Sequence, residues 1–99
     1  MPAYVISDLS PRDPEAFQAY RMRAAAAIAK HGGRYLARGG EVVPLEGERT
    51  PDAVVIIEFP DMAAAQRWYA SPEYAEALAF RDAGLARKLI LVDGFVRAT

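Results

Sequence analysis

The sequence predicts one α+β domain whose elements follow the order β-α-β-β-α-α-β. Four short stretches are rich in β-branched and aromatic residues, which is typical of strands. A long segment between the first two strands repeats apolar residues at helical spacing. Two triplets, Asp13-Pro14-Glu15 and Ser71-Pro72-Glu73, carry the cap, proline and acid with which helices begin. The 99 residues suffice for one hydrophobic core, so a single domain over 1–99 is predicted.

The first half of the chain predicts a strand, a long helix and a second strand. The first strand covers 4–9 and stops at Ser10-Pro11. The helix begins at Asp13 and ends at Gly32-Gly33, because glycine adopts the left-handed C-terminal conformation without steric cost. The alternating residues 34–38 predict the second strand. The inner stripe of the helix is predicted to hold Phe17, Tyr20, Ala24, Ala27, Ile28 and His31.

The second half predicts two further strands, with helices capped by Asp61 and Ser71 between them. The predicted order places these strands in the sheet that the first two begin. The predicted elements are an irregular arm over 41–52 with a short strand at 41–43, a strand over 53–59, helices over 62–70 and 72–83, a last strand over 88–92, and a frayed end over 96–99.

This order matches the ferredoxin-like split βαβ sandwich, a four-stranded antiparallel sheet with its helices on one face. A strand with one solvated face should alternate apolar and polar residues. Residues 54–57 and 89–92 instead run apolar without a break, which predicts that both faces of these strands are covered. A symmetric copy is the simplest cover, so we expect a homodimer formed through the sheet face. The alternative is a single sheet that tolerates scattered surface aliphatic residues.

The composition excludes several classes of function. The chain has no cysteine, which excludes disulfides, thiolate metal sites and a thiol nucleophile. Twelve basic residues balance thirteen acidic ones without a basic stripe, so no nucleic-acid partner is expected. No apolar run approaches the roughly 20 residues that cross a bilayer, and the start lacks the pattern of a signal peptide. We therefore expect a cytoplasmic protein with no membrane partner.

A series of short motifs extends over nearly the whole chain, from Tyr4 to Gly94. They are Tyr4-Val5-Ile6, Asp13-Pro14-Glu15, Tyr20-Arg21, Gly32-Gly33-Arg34-Tyr35, Arg38-Gly39-Gly40, Leu45-Glu46-Gly47, Glu58-Phe59-Pro60, Trp68-Tyr69, Ser71-Pro72-Glu73-Tyr74 and Arg81. Each motif is short, but in this joint order they resemble the bacterial "domain of unknown function 1330" family.

The resemblance implies the fold more firmly than a function. The family is similar to the dimeric α/β-barrel superfamily, in which two ferredoxin-like chains pack sheet to sheet and a pocket lies between sheet and helices. That superfamily includes cofactor-independent monooxygenases, haem-dependent enzymes, muconolactone-type isomerases and stress-related proteins. Since fold does not fix function, the resemblance leaves open whether this protein is an enzyme.

Arg81 is the first candidate ligand-binding residue. It shares a predicted helical stripe with Tyr74 and two leucines, which would bury its guanidinium in an apolar face. A buried guanidinium needs a partner, so Arg81 either pairs with Glu58 or Glu46, or clamps a carboxylate ligand. Glu58 is in turn a candidate general base or the partner that neutralises Arg81.

His31 is the only histidine and the natural acid–base candidate near neutral pH. We expect it at the rim of a pocket shared with Tyr20 or Arg81. The alternatives are a cation at the helix C-terminus, a residue at the edge of the core, or the axial ligand of a haem. A lone histidine is poor support for a metal site, so no metal and no cofactor are expected.

Four aromatic residues are candidates for the lining of a ligand pocket, although aromatic residues at helical spacing also fill cores: Tyr20, Tyr35, Trp68 and Tyr74. The sequence thus favours a protein with a pocket for a small molecule. If the protein is an enzyme, we expect it to act without a cofactor on a small acidic or aromatic compound. The alternative is a non-catalytic dimeric binding or stress-related module.

Overall fold

A computed structural model describes residues 1–95 and shows one four-stranded antiparallel sheet with the helices on one face. The predicted α+β fold and the ferredoxin-like order are confirmed, with one additional short helix before the last strand. The predicted fraying of 96–99 lies outside the described residues. The elements are β1 (Ala3–Pro11), α1 (Pro14–Lys30), β2 (Arg34–Arg38), β3 (Ala53–Phe59), α2 (Met62–Tyr69), α3 (Pro72–Leu78), α4 (Arg81–Gly84) and β4 (Leu85–Asp93).

Side-chain caps fix where the three longer helices begin, as the sequence predicts. Asp13 accepts a hydrogen bond from the backbone N–H of Ala16 at 2.9 Å. Asp61 caps α2 in the same way at 2.7 Å, and Ser71 caps α3 at 3.1 Å. Each cap satisfies an N–H group that has no partner within its helix, so these three positions set the start of each helix.

The sheet has the strand order β2-β3-β1-β4, and every neighbouring pair is antiparallel. Residues 3, 5, 7 and 9 of β1 are buried against the helices, while the residues between them face the other side. Val5 pairs with Ile57 of β3 and Leu91 of β4, so the same alternation extends across the sheet. The helix-facing side of the sheet and the inner faces of α1, α2 and α3 form the core.

The segment before β4 differs from the prediction. One helix over 72–83 was expected, but α3 ends at Leu78 and the separate α4 begins at Arg81. Arg81 and Tyr74 therefore do not share the predicted helical stripe, because a new helix begins after Phe80. The last strand begins at Leu85 rather than at residue 88, which adds Arg87 to the sheet.

The arm between β2 and β3 has no regular secondary structure, so the short strand predicted at 41–43 is wrong. Two apolar residues of the arm are exposed, Val43 by 62% and Leu45 by 91%. Gly47 in the arm has a φ of 99°, a conformation that L side chains rarely adopt. The proline and glycine content explains why no strand forms here.

A close approach between α4 and the start of α1 predicts a stability effect at Gly84. A Cβ atom added there would lie 2.9 Å from the backbone nitrogen of Phe17. Gly84→Ala should therefore lower the free energy of unfolding by about 1–3 kcal/mol, as overpacking does, even though alanine favours helix. Gly40→Ala is the matched control, because nothing lies within 4 Å of a Cβ there. Urea unfolding measures both changes, and equal midpoints for the two variants would contradict the prediction.

Candidate functional site

A cavity lies between the sheet and the helices, and its wall is formed by α1, α2 and all four strands. Its volume is about 60 Å³. That is less than half the roughly 150 Å³ of a cavity that holds benzene, so an aromatic ring enters only if side chains at the mouth move. The lining residues are Ser7, Leu9, Phe17, Tyr20, Arg21, Ala24, Ile28, Tyr35, Arg38, Val55, Ile57, Trp68, Arg87 and Leu89.

Arg87 and two tyrosines form a hydrogen-bonded cluster at this cavity. The two tyrosine hydroxyl oxygens, on Tyr20 and Tyr74, lie 2.6 Å apart. The Nη2 of Arg87 donates to the Tyr74 oxygen at 2.7 Å, and its Nη1 donates to the Tyr20 oxygen. Three elements, α1, α3 and β4, thus meet at one guanidinium.

Strand alternation explains why a guanidinium lies on the helix side of the sheet. Arg87 pairs with Leu9 of β1, and the next helix-facing residue of β4, Leu85, pairs with Pro11. Leu9 and Leu85 are buried beneath the helices, at 7% and 2% exposure. Since alternate residues of a strand share a face, Arg87 must point the same way as Leu85.

The charge of Arg87 is solvated by hydroxyl groups and has no counter-ion among the residues that the structure describes. Burial pulls the pKa of Arg87 down, but the two tyrosines raise it by more, so the net pKa lies above its ordinary value. None of the ion pairs within residues 1–95 involves Arg87. A half-buried cation without a carboxylate partner favours an anion from outside the chain.

Proton counting shows which hydroxyl group faces the cavity. Tyr74 is fully buried, and its hydroxyl has no partner in the described chain other than Tyr20 and Arg87. If Tyr20 donated to Tyr74, the proton of Tyr74 would be buried without an acceptor, which is costly. The favoured arrangement therefore has Tyr74 donating to Tyr20, and Tyr20 donating into the cavity that it lines.

Two more polar groups of the cavity lining lack partners. Ser7 is 3% exposed and Trp68 is 2% exposed. Neither the Ser7 Oγ nor the Trp68 Nε1 has a hydrogen-bond partner within residues 1–95. Both residues belong to the cavity wall, together with the hydrogen-bond donors Tyr20 and Arg87. Such a set fits a ligand that brings hydrogen-bond acceptors.

The mouth of the cavity carries two more arginines. In β2 the register shifts between Tyr35 and Ala37, and this bulge brings Arg38 to the same side as Tyr35. Arg38 stacks on the Tyr35 ring at 4.4 Å, and Arg21 lies over the ring of Phe17 at 5.4 Å. The mouth is therefore positively charged, and its guanidinium groups rest on aromatic faces rather than in ion pairs.

The structure places the predicted acid–base residues outside the cavity. The His31 Nε2 lies 3.1 Å from the Glu73 Oε1, at the junction of α1 and α3. That hydrogen bond is the main cause of a lowered pKa of Glu73. The Glu58 Oε1 lies 3.2 Å from the Arg34 Nη2 on the sheet face that the helices leave open. The prediction that His31 lies at the rim of a pocket shared with Tyr20 is wrong, because His31 does not line the cavity.

The predicted internal pairing of Arg81 is also wrong. Its Nε contacts the carboxylate of the adjacent Asp82 at 3.2 Å, and neither Glu58 nor Glu46 pairs with it. The side chain is 39% exposed, because α4 turns it away from the buried face of α3. Arg81 lies in a separate groove, whereas Tyr20, Trp68 and Tyr74 belong to the cavity and its hydrogen-bonded cluster.

Sequence reasoning missed Arg87 and Ser7. Ser7 interrupts the apolar side of β1, between Val5 and Leu9, and this interruption was a usable signal. Arg87 continues the alternation of Leu89 and Leu91 by one step, but the strand was predicted to begin after it. A boundary error of three residues therefore hid the central residue of the site.

Within residues 1–95, no group of three or more histidine, aspartate or glutamate side chains is placed to share a metal ion. A haem bound through His31 has no support, since this side chain is bonded to Glu73. In the same part of the chain, no helix is long and apolar enough to cross a membrane.

The sheet order and the helical layer define an α+β protein with the ferredoxin-like fold. The family model described as "Domain of unknown function (DUF1330)" matches residues 2–95, and the chain belongs to that family. No curated protein matches the sequence.

Solved structures show the same fold at low sequence identity. A protein of unknown function from Rhodopseudomonas palustris is 24% identical, with a TM-score of 0.78 over 97% of this chain and 84% of that one. SnoaB, a cofactor-independent oxygenase from Streptomyces nogalater, is 20% identical, with a TM-score of 0.61 over 99% and 95%. A dimeric ferredoxin-like protein of unknown function from Jannaschia is 18% identical, with a TM-score of 0.56 over 91% and 98%.

The environment of Tyr20 predicts how stability depends on pH. Burial raises its pKa far above the ordinary tyrosine value, Tyr74 raises it further and Arg87 lowers it. In the unfolded chain Tyr20 loses its proton near pH 10, while the folded protein keeps it. The free energy of unfolding is therefore retained below about pH 10 and falls as the pH rises further.

Tyr20→Phe should make this decline shallower by up to about 1.4 kcal/mol per pH unit, the effect of one proton. Chemical unfolding at several pH values between about 9 and 12 measures the two slopes. The tyrosinate absorbance of the two folded proteins is the control. It should be the same for both, since Tyr20 keeps its proton in the folded wild type. Equal slopes for the two proteins would contradict the assignment.

Proposed function

We propose that this protein binds a small organic anion in the cavity between the sheet and the helices, with Arg87 as its charge partner. The observation that carries the proposal is that Arg87 lines the cavity as a half-buried cation and has no ion pair in the described chain. Tyr20, Trp68 and Tyr74 keep the ligand-binding roles predicted for them, Tyr74 by orienting Tyr20 and Arg87.

The remaining lining defines the body of the ligand. Apolar side chains make up most of the cavity wall, so the body of the ligand should be apolar. They include Phe17, Ile28, Val55, Ile57 and Leu89. A compact apolar or aromatic molecule with one carboxylate, phenolate or enolate oxygen suits both the apolar wall and Arg87. The two mouth arginines attract such an anion before it enters.

The enzymatic form of this proposal relies on charge stabilisation. Tyr20 and Arg87 would stabilise negative charge that develops on a substrate oxygen, which needs no titrating base in the cavity. SnoaB is described as a cofactor-independent oxygenase, and its likeness to this chain shows the fold alone. The second candidate, a binding module without turnover, is favoured by the location of His31 and Glu58 outside the cavity.

Benzoate binding tests the role of Arg87. Trp68 is the only tryptophan and lines the cavity, so its fluorescence reports occupancy directly. Benzoate should bind the wild type more tightly than neutral benzyl alcohol, and Arg87→Gln should weaken benzoate binding by about tenfold or more. Arg34→Gln is the matched control, because Arg34 lies on the open face of the sheet. Equal affinity for benzoate and benzyl alcohol, or an unchanged benzoate affinity in the Arg87 variant, would contradict the proposal.

The open face of the sheet supports a second copy of the chain as partner. Leu36, Ile90 and Val92 are 49%, 56% and 41% exposed in the single chain. Ile6 and Ile56 face the same way and pair directly across β1 and β3. An apolar face of this extent favours burial, and the Jannaschia neighbour is described as dimeric. We propose a homodimer that packs sheet to sheet.

Sedimentation of an interface variant tests the dimer. The wild type should sediment at about twice the chain mass of 10.8 kDa. Ile90→Glu should shift it toward the single-chain mass, because a carboxylate buried in an apolar interface loses its water without a partner. Met22→Glu is the matched control, since Met22 is 64% exposed on α1 and far from the open face. A wild-type monomer at all concentrations would refute the proposed dimer.

A further inference from the structure

A groove follows the free edge of β4, separate from the cavity of the proposed function. We call it the edge groove. Its basic end has a volume of about 450 Å³ and its apolar end about 280 Å³. Tyr69 and Leu89 line both ends, so the two parts are adjacent along β4. The basic end is lined by Arg12, Tyr69, Arg81, Asp82, Leu85, Ala86, Arg87 and Leu89, and the apolar end by Val5, Ala65, Gln66, Tyr69, Leu89, Ile90 and Leu91.

The basic end carries an excess of positive charge. Three guanidinium groups, of Arg12, Arg81 and Arg87, face one carboxylate, that of Asp82. Asp82 is 92% exposed, so its contact with Arg81 is a weak surface ion pair. In a chain of net charge −1, this concentration of cations is a local feature that favours an anion.

Backbone contacts hold the two peripheral arginines in place. The backbone N–H of Arg12 donates to the Gly84 carbonyl at 2.8 Å, and its Nη1 donates to the Asp82 carbonyl at 3.2 Å. Arg81 is the first residue of α4, which leads directly into β4. The two side chains thus flank the place where α4 meets the edge strand, and they retain N–H groups for a ligand.

The other end of the groove is apolar and fits a hydrocarbon chain. It lies between α2 and β4, and its lining is aliphatic or aromatic except for Gln66. From Leu91 back to Leu85 the groove follows β4 for roughly 20 Å, at about 3.3 Å per residue. A carboxylate at the basic end therefore leaves room for an unbranched chain along the strand.

We propose that the edge groove binds an amphipathic carboxylate, with its head between Arg12 and Arg81 and its hydrocarbon chain against Leu89 and Leu91. This site is distinct from the cavity, because Arg12, Tyr69 and Arg81 line the groove and do not line the cavity. Arg87 and Leu89 border both spaces. It assigns Arg81 a ligand-binding role without a buried ion pair. The inference does not depend on benzoate binding in the cavity.

Calorimetry with decanoate, below its micelle concentration, tests the charged end. The double variant Arg12→Gln and Arg81→Gln should bind decanoate at least about tenfold more weakly than the wild type does, because the carboxylate loses its charge-assisted hydrogen bonds to the two arginines. Arg67→Gln removes one exposed charge from α2 outside the groove and should stay within about twofold of the wild type. The cation decyltrimethylammonium should bind the wild type more weakly than decanoate. Equal decanoate affinities for the double variant and the Arg67 variant would overturn the proposal.

A second pair of variants tests the apolar end. Gln66→Glu places a negative charge beside the hydrocarbon chain and should weaken decanoate binding several-fold, because a charge in an apolar contact is desolvated. Gln18→Glu, on the exposed side of α1, should not change it. Saturating benzoate should leave the decanoate affinity unchanged if the two sites are separate. Competition between the two ligands would overturn the separate site, and it would leave the role of Arg87 in the cavity intact.

Discussion

The half-buried charge of Arg87 is the constraint on which the candidate site depends. A guanidinium on the helix side of a sheet must be hydrogen-bonded, because leaving it unpaired costs several kcal/mol. This chain meets that need with two tyrosines from different helices, which joins α1 and α3 to β4 at one point. Hydroxyl groups are weaker partners than a carboxylate, so the charge stays available to a ligand. The same cluster therefore stabilises the fold and leaves a binding site in it.

The cluster also explains why the core is not closed. Trp68 packs against Tyr74 with ring centroids 4.3 Å apart and against Phe59 at 5.3 Å, so one side of the core is dense. The other side carries Ser7 and Arg87, which fill less apolar volume than the leucine residues beside them on the strands. A cavity with unpartnered polar atoms is unusual in a well-packed interior. Its position next to the cation indicates a site for a ligand more than a packing defect.

The sequence predicted the positions of residues that depend on local pattern, and it failed for residues whose positions depend on tertiary contacts. The helix starts at Asp13, Asp61 and Ser71 were predictable, because capping depends on a few neighbouring residues. Arg81 was misplaced, because helical spacing was extended past Leu78, where the tertiary structure ends the helix. Arg87 was missed for a related reason, since strand boundaries depend on pairing with β1 that no local pattern reveals. The aromatic candidates were found because burial of large side chains follows from periodicity alone.

The two faces of the sheet are linked by register, and this links the candidate site to the proposed dimer. Side chains of a strand alternate between the two faces of the sheet. Ser7 and Arg87 therefore face the helices in the same register that turns Ile6 and Ile90 to the open side. A slip of β4 by one residue would place Arg87 on the open face and Lys88 beneath the helices. A dimer that buries Ile90 would oppose such a slip, because Arg87 would then enter an apolar interface. Assembly through the open face would thus hold the cation of the cavity in place, although neither Ile6 nor Ile90 lines the cavity.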